Sequence, residues 1–161
     1  MKKIFFILFL ITSRYVYAQS NETNNKFEEA ISGLSQDSLH NLATTEIIRS
    51  AGMIEIDENK YKDQIESQLN FSIEILEYCQ NKFGKSNFNH SWIGLGLFYF
   101  KEYQQATVEF SLAIQLNTSD FHSYKMRANC KTILNDNYGA NEDYAFAINY
   151  APMTYNRLVA M

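Results

Sequence analysis

The chain is short of the residues that break helices. It has one proline, Pro152, and six glycines in 161 residues. A β-sandwich of this length needs many tight turns, and turns draw on Gly and Pro. Two cysteines, Cys79 and Cys130, are too few for a disulfide scaffold. Standing 51 residues apart, they also lack the close ligand spacing of a zinc site. Buried free thiols are the preferred reading, with a disulfide as the alternative. Charged residues make up 20% of the chain and apolar residues 46%, so a disordered tail is excluded and a core is affordable in a single domain. Few breakers with many apolar residues point to helices.

What is present begins at the first residue. Lys2 and Lys3 precede an unbroken apolar run, Ile4 to Ile11. That is the charged head and apolar body of a secretory signal, too short to span a bilayer as a stable helix. Val16-Tyr17-Ala18 supplies the cleavage position, so residues 1–18 are expected to be removed after Ala18 and the protein exported to a periplasm or secreted. An uncleaved N-terminal anchor is the alternative. Loss of Lys2, Lys3 and Arg14 leaves 11 basic against 18 acidic residues. Such an acidic protein repels phosphate backbones, so no nucleic-acid partner is expected. No later stretch approaches the roughly 18 apolar residues of a membrane helix, so no membrane insertion is expected after cleavage.

The later half repeats itself. Ala106, Phe110, Ala113 and Ile114 recur as Ala140, Tyr144, Ala147 and Ile148, each 34 residues on. Positions i, i+4 and i+7 share one helix face. Alanine there lets a second helix come close, and the aromatic fills the wedge between them. A fixed period of this length is the mark of a helix-pair repeat.

With its 34-residue period, Gly94 twelve residues before Ala106, Ala128 in the same place before Ala140, Ile93 and Leu97 around the glycine, Tyr103 opening a helix and Pro152 at a repeat end, the segment 87–152 resembles the tetratricopeptide-repeat (TPR) family. That covers about 40% of the chain. The match departs at His90, where tryptophan is usual, at Thr118 for proline, and at Arg127 and Lys131, which replace an apolar and a large residue. Tyr138 is one residue late relative to Tyr103.

The resemblance implies an all-α fold, an α-solenoid of antiparallel helix pairs. The expected organisation is a signal over 1–18, a polar leader over 19–36 with a helical turn near Phe27–Ile31, and a helix pair over 37–86. TPR-like repeats follow over 87–118 and 119–152, with a short capping helix over 153–161. Within 37–86, Asp37 can cap a helix carrying Leu39, Ala43, Ile47, Ala51 and Ile54 on one face. Asp57-Glu58-Asn59 interrupts it. A second helix places Tyr61, Ile65, Leu69, Leu76, Cys79 and Phe83 inward, and Gly84 stops it. Gly52 and Tyr61 stand nine apart, like Gly94 and Tyr103, but Gln64 falls where alanine is due. This pair is a diverged first repeat or an unrelated cap. Asp120 is a good cap for the helix from Phe121.

No constellation carries catalysis. Gly84-Lys85-Ser86 lacks the glycine-rich loop of a phosphate site and reads as a helix stop. His40, His90 and His122 form no metal motif, and no cofactor is expected. Asn21, Asn70, Asn89 and Asn117 each begin an Asn-x-Ser/Thr triplet, a glycan acceptor in some secretory routes.

The family's inner helix face serves as a peptide groove. By that register Phe88, Trp92, Leu95, Tyr99, His122, Lys125, Met126 and Asn129 project into it. Against this stands plain packing of Trp92 and Tyr99 on a preceding helix. Lys125 and Asn129 also match positions at which chaperone-binding members hold a terminal carboxylate. The leading expectation is therefore a non-enzymatic scaffold that binds a protein or peptide. A self-associating envelope subunit and an unrecognised small hydrolase are the alternatives.

Overall fold

A computed structural model describes residues 27–151, and every regular element among them is helical. The expected signal, the leader up to residue 26, Pro152 and the expected cap over 153–161 lie outside the described residues. A helical turn over 27–31 precedes five helices: α1 (Gln36–Phe83), α2 (Asn87–Tyr99), α3 (Tyr103–Leu116), α4 (Phe121–Ile133) and α5 (Asn137–Tyr150). None is long and apolar enough to cross a membrane. The packing divides the chain into two units, with the boundary between Cys79 and Gln80.

In the first unit α1 is two arms. Asp57 takes an extended backbone at φ −166° and ψ 94°, and its carboxylate accepts from the Lys60 amide at 3.1 Å. One residue thus ends the first arm and caps the second. Leu39, Ala43 and Ile47 of the first arm are buried, as are Ile65, Leu69, Ile75 and Leu76 of the second. Ser50 Oγ donates across the arms to Gln68 Oε1 at 3.1 Å, and Phe27 sets its ring edge-on to Phe71. Two expectations fail here. The oxygen that caps the helix start is Ser35, which accepts from the Ser38 amide, and Asp37 sits within the first turn. Phe83 is 41% exposed, because the helix ends there and turns away at Gly84. Gly84 does stop the helix, at φ +95° with its amide bonded to Gln80 O.

The second unit shows the 34-residue period in its backbone. Ser86 caps α2 by accepting from the Asn89 amide, and Asp120 caps α4 by accepting from the Ser123 amide. Lys101 and Asn135 both take φ +65°, just past the ends of α2 and α4. The next amides, Glu102 and Asp136, reach back to Leu97 O and Lys131 O, both at 2.9 Å. α2 and α4 therefore close with the same left-handed turn, which satisfies their last carbonyls.

Close helix crossing explains the small residues. A Cβ added to Gly94 would lie 2.8 Å from the Phe110 ring, so α2 and α3 meet too closely for a side chain. Ala106, Ala113 and Ala128 are fully buried, and Ala140 nearly so. Ala106, Phe110, Met126 and Cys130 form one core cluster, covered by Leu95, Leu97, Phe98 and Tyr103. Ile114, Tyr124 and Ala147 form another, and Phe146 stacks on Tyr124 at 5.2 Å. Cys79 and Cys130 are both buried.

Candidate functional site

The A helices α2 and α4 lie side by side in the second unit, joined by Ser123 Oγ donating to Ser91 Oγ at 3.0 Å. Phe88 and Trp92 stand one turn apart on α2. Their rings are 6.1 Å apart and tilted by 44°, with Phe88 37% exposed and Trp92 partly buried. Leu95 and Tyr99 continue that line of α2. Leu95 leans on the Phe110 cluster, and Tyr99 meets Phe98 edge-on at 5.8 Å. All four keep some accessible surface.

On α4 the expected residues divide. His122 is exposed and Lys125 partly so. Desolvation by its neighbours pushes the His122 imidazole below its ordinary value, Asp120 opposes this, and the Lys125 charge adds to it. His122 is then neutral near pH 7, and Lys125 supplies the positive charge. Met126 is buried in the cluster with Ala106, Phe110 and Cys130. Asn129 is partly engaged as well. Its Oδ1 accepts from Tyr144 Oη at 2.7 Å, and its amide nitrogen lies 3.7 Å from Met126 Sδ. The carboxamide ties α4 to α5.

Three of the positions that depart from the repeat pattern, His90, Arg127 and Lys131, are paired with acids. Arg127 and Lys131 both reach Asp143 on α5. Arg127 Nε and Nη2 donate to its two carboxylate oxygens at 2.8 and 2.6 Å, and Lys131 Nζ lies 2.8 Å from Oδ2. Arg127 Nη1 also donates to Ser111 Oγ on α3. Burial alone would raise the Asp143 pKa, but the hydrogen bonds and charges of Arg127 and Lys131 outweigh it and hold the carboxyl low. His90 is likewise buried, with Nδ1 2.7 Å from Glu109 Oε2 on α3. Sequence reading noted the odd residues at 90, 127 and 131 but not their partners. The available signal was a compensating acid on the following helix, at Glu109 and at Asp143.

Among the described residues no group of three or more His, Cys, Asp or Glu gathers to hold a metal ion. Of the glycan-type triplets, Asn89 is fully buried, Asn70 lies mid-helix, and Asn117 is exposed between α3 and α4. Asn21 lies outside the described residues.

With the paired helices, the glycine crossing and the A-helix face in view, the chain can be set beside solved structures. It matches the second TPR domain of Spaghetti (RPAP3), solved bound to the HSP90 peptide SRMEEVD, with a TM-score of 0.51. Identity is 17%, and the match covers 71% of this chain and 99% of that one. The fold is a TPR fold. No family model matches the sequence, and no curated protein does. In the second unit α2–α3 and α4–α5 are consecutive packed pairs, and Phe88, Trp92, Leu95, Tyr99, His122 and Lys125 lie on the first helix of a pair.

Proposed function

We propose that this protein is an exported, non-enzymatic scaffold that binds a segment of another protein on the A-helix face of its second unit. The observation that carries this reading is the Phe88–Trp92 pair. Two large aromatics one turn apart keep accessible surface on α2, with Lys125 on the neighbouring α4. Aromatics bury much area with few rotatable bonds, which suits them to anchor a partner. A lysine on the neighbouring helix favours an acidic or carboxylate-bearing peptide. The TPR neighbour's bound peptide supports the same use of the fold. Fold alone assigns no partner, so the reading rests on these side chains. Export rests on the Met1–Ala18 pattern, and sequencing the N-terminus of the native protein tests it. A mature chain that starts at Met1 overturns it.

The binding test is affinity capture from the extracytoplasmic fraction with the mature protein. Trp92→Ala is expected to lower recovery of the captured partner at least tenfold while the helical circular dichroism stays intact. Lys125→Ala is expected to weaken capture and to flatten its dependence on salt. If Trp92→Ala unfolds the protein and Lys125→Ala leaves capture unchanged, Trp92 is a core residue and the reading fails.

A further inference from the structure

The outward side of α3 carries no charge. With 3.6 residues per turn, Gln104, Gln105, Val108, Leu112, Gln115 and Leu116 fall within about 120° of the helix circumference. They lie opposite the side that buries Ala106, Phe110, Ala113 and Ile114. The three glutamines are exposed, Val108 is 58% and Leu116 53% exposed, and Leu112 is partly buried. The one charged residue of α3 is Glu109, at one rim of this sector, where His90 holds it at 2.7 Å. At the other rim Ser111 accepts from Arg127.

Nothing in the repeat imposes such a face. Thirty-four residues on, Val108 becomes Glu142, and Leu112 becomes Phe146, whose ring stacks on Tyr124. On α3 the aliphatic residues stand at i, i+4 and i+8, an apolar stripe two turns long on a helix that already buries its other side.

Complementarity decides what fits the stripe. A partner selected by charge finds none there to pair with. A two-fold contact sets one patch against itself, so the patch must be its own complement. Aliphatic side chains meet that condition by burying area, and glutamine meets it by carrying a donor and an acceptor in one carboxamide. A charged patch does not, because like meets like. The chain bears a net charge of −4, so two copies repel where charged surfaces meet, and α3 offers an approach without that cost.

We propose that α3 is a self-association surface, on which a second copy of the chain packs its own α3 across a two-fold axis. Val108, Leu112 and Leu116 of each copy meet the same stripe of the other, and Gln104, Gln105 and Gln115 pair around them. The contact uses none of Phe88, Trp92 and Lys125, so it stands independently of the partner-binding reading above.

Sedimentation of the purified protein across a hundredfold range of concentration tests it. The wild type is expected to pass from monomer to dimer by mass action. Val108→Asp with Leu112→Asp should weaken the dimer at least tenfold while the helical circular dichroism is unchanged. Gln104→Glu with Gln115→Glu should weaken it as well, with the apolar residues intact. Val108→Lys with Leu112→Lys should also disfavour the dimer. An equal mixture of the Asp and Lys variants should then associate at least tenfold more tightly than either alone, as a contact of α3 with α3 requires. Ala145→Asp, at an exposed position of α5, should leave association unchanged. A monomer at every concentration overturns the proposal. So does a dimer that survives the α3 substitutions, which would place the contact elsewhere. A mixture no tighter than its components would mean that α3 meets a different surface, and would overturn it too.

Discussion

Arg127 on α4 and Asp143 on α5 share two hydrogen bonds at 2.6 and 2.8 Å, with the carboxylate almost fully buried. Lys131 joins the same carboxylate, so one anion holds two cations together. A buried pair contributes modestly when intact, yet loss of one partner strands the other. Asp143→Ala leaves Arg127 and Lys131 side by side without their counter-charge. Because both cations retain some solvent, the expected cost is about 3 kcal/mol, the low end for a broken buried pair, read from urea unfolding at neutral pH.

The same carboxylate sets an acid limit. Its folded pKa lies below the ordinary 3.8, so its ionised form stabilises the native state. That contribution is complete above the unfolded value and is lost as pH falls through the folded one. The stability gap between wild type and Asp143→Ala should therefore be constant above about pH 5 and shrink below about pH 4. A gap that stays constant down to pH 2 would show that the carboxylate's charge is not what matters.

Glu46 behaves in the opposite sense. It is buried on the first arm of α1, and desolvation raises its pKa although Arg49 opposes this. A carboxyl with a raised folded pKa favours the native state when protonated and opposes it as pH rises past the folded value. Glu46→Gln mimics the protonated form. It is expected to raise the melting temperature at pH 7 and to have no effect near pH 3. Destabilisation at pH 7 would mean that the Arg49 pair, bonded at 2.7 Å, outweighs burial.

The α2–α3 crossing should not tolerate added volume. Gly94→Ala places a methyl 2.8 Å from the Phe110 ring, and Ala106→Leu fills a position with no exposed surface. Each is expected to cost about 1–3 kcal/mol by overpacking. Gln105 is exposed, and Gln105→Leu should stay within about 0.5 kcal/mol of wild type. Equal melting temperatures for the Ala106 and Gln105 variants would place the packed face elsewhere.

Burial pushes the Cys130 thiol up to about 11, and Cys79 is buried as well. The thiolate is the reactive form, so a folded chain at pH 8 should resist a disulfide reagent and release two thiols only in denaturant. Rapid titration of one thiol in the native protein would contradict the burial of Cys79 or Cys130.

Much of the architecture was readable from residue order. Apolar spacing, the 34-residue recurrence of Ala106 and Phe110 and the single proline each reflect a local rule, and a local rule needs no knowledge of distant chain. Asp120 and Gly84 were legible as cap and stop for the same reason, since a helix end is satisfied within a few residues.

What tertiary structure decided is the environment of each residue in that register. Met126 and Lys125 are sequence neighbours, yet one is in the core and the other reaches solvent, because α3 covers one side of α4. Arg127 and His90 looked like damage to a repeat until Asp143 and Glu109 were found opposite them. Asn129 looked available to a ligand until Tyr144 took its oxygen. A repeat period places a side chain on a helix. Whether that side chain is buried, paired or open depends on the neighbouring helix, whose residues stand 15 to 19 positions away along the chain.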